Sequence, residues 1–73
     1  MDQATLHQRL QAVEALLQRM EENIAFQDRM IATLDRGGHD VKAAKMFLRQ
    51  LQAKHAKHAA DRDLLFKRLA NSF

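Results

Sequence analysis

The chain reads as an all-α fold, an antiparallel two-helix hairpin, on three observations. Two apolar stripes run with alternating spacings of four and three, a Gly37-Gly38 pair lies between them, and helix-forming residues dominate the composition. The first stripe is Leu6, Leu10, Val13, Leu17, Met20, Ile24, Gln27, Ile31 and Leu34, broken only by Gln27. The second is Val41, Ala44, Leu48, Leu51, His55, His58, Arg62, Leu65 and Leu69, with three polar residues in its middle. This alternation keeps one face of a helix turned toward a partner helix.

Each element can be justified in chain order. Asp2 is placed to cap a first helix over about 2–36, which meets no Gly or Pro until Gly37, where a residue tolerant of positive φ is wanted past the last turn. Residues 37–39 form the turn, and Asp40 is the expected N-cap of a second helix over about 40–70. At 1.5 Å per residue the two helices are roughly 45 to 52 Å long. A connection of about three residues makes them antiparallel neighbours. Residues 1–73 thus form one hairpin domain. Positions whose numbers sum to about 75 should face each other, so Ile31 and Leu34 meet Val41 and Ala44, Ile24 meets Leu51, and Leu10 and Leu6 meet Leu65 and Leu69. Between those layers Met20 faces His55, Leu17 faces His58 and Val13 faces Arg62.

Composition narrows the function classes. The 73 residues include no Cys, Pro, Trp or Tyr, so there is no disulfide framework, thiolate nucleophile or cysteine-based metal site, which suits a reducing cytoplasm. The start, Met1-Asp2-Gln3, lacks a basic region followed by an apolar core, and no apolar run approaches the roughly 18 residues of a membrane span. Catalysis finds no footing. The single serine, Ser72, stands at the C-terminal end, no Gly-rich loop follows a strand, and Glu21 and Glu22 diverge on a helix. A non-enzymatic chain without cofactor is expected.

Self-association is the leading expectation. Roughly ten apolar layers are too few to offset the ordering of a chain this size. Leu16, Met30 and Phe47 flank the seam, and Phe26, Met46, Leu64, Phe66 and Phe73 widen the apolar faces further. Faces that broad call for a homodimeric four-helix bundle, acting as a small interaction or regulatory protein whose other partners are unspecified. Charge divides unevenly, with four basic and six acidic residues in 1–36 against eight and three in 39–73. Acidic Glu14, Glu21, Asp28 and Asp35 should therefore complement Lys45, Lys54, Arg62 and Arg68 on the other helix or across a dimer.

Two alternatives use the second helix. Lys42, Lys45, Arg49, Lys54 and Lys57 could form a basic ridge for the phosphate backbone of RNA or DNA, although no Tyr or Trp accompanies it for base stacking. His55 and His58, three apart with Asp61 and Arg62 one turn on, form a polar seam that could fill a semi-polar layer by hydrogen-bonding to Glu21 or to backbone, hold part of a metal site or respond to pH. The metal reading needs a third donor, which Glu21, Glu22 or a dimer mate would have to supply, since His7 and His39 lie far along the rod. For the pH reading, the expectation is two rings buried against Met20 and Leu17 without a carboxylate, whose folded pKa values fall below about 6.5. Stability present above that value would then be lost on acidification, whereas a Glu21 paired with protonated His55 would raise the folded pKa and the extra stability would fade as pH climbs.

Two resemblances follow. In architecture alone, with no shared residue motif, the chain is similar to the plasmid-encoded repressor-of-primer family of dimeric RNA-binding hairpins. Gly38-His39-Asp40, then Ala44, Leu48, His58, Asp61-Arg62, Leu65 and Leu69, resembles the second half of a group of short, uncharacterised bacterial helical-hairpin proteins. That resemblance covers about half the chain and implies a hairpin of bacterial origin, with no activity to transfer.

Overall fold

The computed structural model describes residues 2–71; Ser72 and Phe73 of the sequence argument lie outside them. Two helices, α1 (Gln3–Arg36) and α2 (Lys42–Ala70), form an antiparallel hairpin with no strand among the described residues. Asp2 caps α1 from extended backbone, its carboxylate accepting the Thr5 N–H at 2.7 Å. Acidic and basic residues, glutamines and alanines carry the outer faces.

The turn differs from the expectation by one residue. Gly37 keeps an ordinary φ of −80°, and it is Gly38 that adopts φ +79°. The Gly38 N–H donates to the Asp35 carbonyl and the His39 N–H to the Leu34 carbonyl, each at 3.0 Å. This pair of bonds closes the last turn of α1 around a left-handed residue, so the residue without a Cβ is required at Gly38. The start of α2 also shifts, from Asp40 to Lys42. Asp40 still caps, accepting the Lys42 N–H at 3.0 Å, but it does so from one residue outside, while Val41 takes the cap position and buries its side chain. Burial of Val41 against α1 holds the chain in a non-helical conformation for one more residue.

All eighteen stripe residues are buried or half-buried, and among the other described residues only Thr5, Leu16 and Ala59 lose comparable surface. The core is thin and divided. At the open end Leu6, Leu10 and Leu69 cluster with Val13 and Leu65. Beside the turn Ile31, Val41 and Leu48 cluster with Ile24, Leu34 and Ala44. Leu17, the most shielded residue at 2% exposure, lies between the two, in the stretch where α2 offers His55, His58 and Arg62. The register expected from the turn is thereby met at both ends.

The molecule is a rod of 56 × 15 × 13 Å. Its radius of gyration is 16.6 Å, against about 11 Å for a compact domain of this length. None of the described helices is long and apolar enough to cross a membrane.

Candidate interaction surface

In an antiparallel pair, the residue just before each first-position core residue lies on one shared side of the hairpin, and the residue just after each second-position core residue lies on the other. This rule sorts the surface into two flanks. By this rule Phe26, Met30 and Thr33, which line a groove on α1 with Arg29 and Leu34, fall on the same side as Arg9, Asp61, Leu64 and Arg68, which line a groove spanning both helices. Glu21, Asp28, Gln52 and His55 line a groove on the opposite side.

The first flank is apolar and basic. Phe26 and Met30, four residues apart on α1, share a face, and Phe47 stands at the same level on α2. Phe26 is 54% exposed, Phe47 48% and Met30 38%, values unusual for side chains of this size with nothing else to do. Toward the open end Leu64 is also exposed, and Leu16 is half-buried at the edge of the seam. Leu16, Met30 and Phe47, the residues expected to mediate association, therefore fall on a single side, and Phe26 and Leu64 join them. Met46 turns to the back of α2 and Phe66 to the other flank. Arg9, Arg19, Lys54, Lys57 and Arg68 lie among these apolar residues, with Asp61 and Asp40 as acids.

The second flank is acidic on α1. Glu14, Glu21, Asp28 and Asp35 recur every seven residues and form a row along it. Of the cations expected to complement them within the hairpin, only Lys45 is on this side. Lys54 and Arg68 are on the opposite flank, and Arg62 bridges to Asp63 of its own helix, with Nε 3.4 Å from Oδ1. Among the described residues no lysine or arginine of α2 pairs with an acid of α1. This corrects the expectation of charge pairing inside the hairpin. The reason is rotational: acids and bases of matching number along the rod leave their helices on different sides.

The same rotation divides the proposed phosphate ridge. Lys42, Lys45 and Arg49 fall on one side of α2, and Lys54 and Lys57 on the other, together spanning about 180° of arc at 100° per residue. They do not form one continuous ridge.

The polar seam is built from local acids. His55 donates through Nε2 to Glu21 Oε1 at 3.2 Å, a hydrogen bond that joins α2 to α1. His58 Nδ1 lies 3.9 Å from Asp61 Oδ2 on its own helix. The expectation of two rings buried without a carboxylate is corrected on both counts: the His55 side chain is 27% exposed and that of His58 37%, and each has an acid beside it. Glu21 sits one residue after Met20 on α1, and the reading of a semi-polar layer in which the histidines bond to Glu21 is met for His55. The two histidines address different carboxylates, and among the described residues no three His, Cys, Asp or Glu side chains gather closely enough to hold a metal ion.

Fold and surface together define a class: an antiparallel helical hairpin with a thin internal seam and one uncovered apolar, basic flank. No protein-family model, curated protein or solved structure matches this chain.

Proposed function

We propose that the protein is a small, non-enzymatic interaction or regulatory module that works as a homodimer, with two hairpins pairing into a four-helix bundle through the apolar flank. One observation carries this reading. The chain exposes 5561 Å² of accessible surface, whereas a compact monomer of 8.4 kDa is expected to expose about 4,600 Å². The excess, about 950 Å², is comparable to the roughly 800 Å² that each partner contributes to a standard interface. The exposed side chains that pairing would cover, Phe26, Met30 and Phe47, are on one flank, with Leu16 and Leu64 further along it. A cysteine-free chain asks nothing of an oxidising compartment, which is consistent with the cytoplasm.

Light scattering coupled to chromatography tests the reading. The natural chain should run as a dimer at micromolar concentration, and Met30→Glu or Phe47→Glu should convert it to a monomer by forcing a carboxylate into the apolar contact. A natural chain that stays monomeric at that concentration discards the proposal. Retention of the chain on RNA that weakens as salt rises would favour the nucleic-acid alternative instead.

A further inference from the structure

Resting on that proposal, we infer that the second copy docks on the apolar flank in one particular arrangement: antiparallel, with the two-fold axis passing through the level of Phe47, so that only the turn-proximal halves overlap. The inference comes from the order of residues along the flank. Isologous contact of two rods face to face allows two orientations, with the turns at the same end or at opposite ends. Each orientation brings a definite set of residues together.

With the turns at the same end, α1 of one copy lies over α2 of the other at equal level. Phe47 then meets Phe26 and Met30, but Arg19 meets Lys54 and Lys57, and Arg9 meets Arg68, so like charges oppose at two levels of the rod. With the turns at opposite ends and the axis at the middle of the rod, Lys54 meets its own copy. Both arrangements set cation against cation within the interface.

An axis at Phe47 behaves differently. Asp40 and Lys54 are each seven residues from Phe47 on the same flank, so Asp40 of one copy comes over Lys54 of the other, twice. Phe47 meets Phe47 on the axis. The turn register puts Asp28 of α1 at the level of Phe47, as Glu21 beside His55 and Leu6 beside Leu69 confirm for the rest of the rod. Phe26 and Met30 are two residues either side of that level, and Asn23 and Thr33 five either side. Reflection therefore sets Phe26 on Met30 and Asn23 on Thr33, again twice each. Apolar meets apolar, polar meets polar and acid meets base, with no like-charged pair among them. The open ends, carrying His58, Arg62, Leu64 and Arg68, project beyond the overlap in opposite directions. Leu16 falls at the margin, near the partner's turn.

The chain has no cysteine, so single introduced thiols report on one position each. Asn23→Cys and Thr33→Cys are mixed in equal amounts and oxidised mildly, with Leu64→Cys as the open-end probe. The expected result is a mixed 23–33 disulfide in excess over either self-linked species, and no self-link through position 64. In parallel, Lys54→Glu should raise the dimer dissociation constant by about tenfold or more, whereas Lys45→Glu on the other flank should leave it within about twofold. A dimer that links through position 64, or in which Asn23→Cys links mainly to itself, overturns the arrangement and leaves self-association standing. So does a particle that grows beyond a dimer with concentration, which would mean the basic flank of one copy on the acidic flank of the next. A chain that stays monomeric overturns both.

Discussion

At the scale of single residues, the two glycines of the turn are not equivalent. Gly38 at φ +79° has open space around a would-be Cβ, so the penalty for Gly38→Ala is backbone strain alone, about 1–2 kcal/mol. In a chain this short that lowers the melting temperature by about 4–8 °C for each kcal/mol. Gly37→Ala meets only the movable His39 ring, at 3.1 Å from its Cδ2, and should cost less. Thermal denaturation of the two variants checks the order, and equal losses would contradict it. Asp2 supplies the pH-dependent term. The Thr5 backbone N–H, then the Thr5 side chain, hold its carboxyl below its ordinary value of 3.8. A carboxyl lowered by folding adds stability above its unfolded pKa and loses it as pH falls through the folded one. Amide exchange at Thr5 should therefore quicken below about pH 4 relative to the helix interior, and Asp2→Asn, an acceptor without a charge, should abolish that pH dependence. The capping role of Asp2 was legible from its place ahead of the first stripe. Which glycine turns left-handed was not, because Gly37 and Gly38 have identical side chains and only the point at which α1 stops winding distinguishes them.

At the scale of the helix pair, the polar break in α2 separates two apolar clusters. His55, His58 and Arg62 occupy seam positions across from Met20, Leu17 and Val13 but stay half-exposed, each drawn toward an acid. Polar groups at such positions contribute less to stability than packed apolar ones, and their benefit is axial register. Replacing all three with leucine should raise the melting temperature, while removing the His55 to Glu21 hydrogen bond that ties one level of α2 to one level of α1. Calorimetry checks the first outcome, and a lower melting temperature would show that the polar layers stabilise the pair outright. The stripes themselves were readable because the heptad spacing is a local property: a residue three or four positions away is on the same face whatever the fold. The partners of His55 and His58, Glu21 and Asp61, were readable as candidates but not as an assignment of one acid to each ring. They depend on side chains beside the seam, whose reach is set by helix rotation and rotamer.

At the scale of the whole molecule, a rod with seven buried side chains among the described residues relies on what covers its outer face. If the dimer is the working form, unfolding and dissociation are linked, and the melting temperature should climb as protein concentration rises from about 1 to 100 μM. A value independent of concentration over that range would mean that the hairpin is stable alone. The amino-acid sequence by itself determined two helices, the turn between them, the eighteen seam residues and their antiparallel register, since periodicity and a short connection leave no other way to bury both stripes. Tertiary structure alone decided that Gly38 is the left-handed residue, that α2 begins at Lys42, and that His55 and His58 stay half-exposed. It also decided that acids collect on one flank while arginines, lysines and exposed Phe26, Met30 and Phe47 collect on the other. The physical reason is that burial constrains only the inward face of each helix. The sidedness of everything else follows from how two helices, each wound at about 100° per residue, are rotated against one another across the turn.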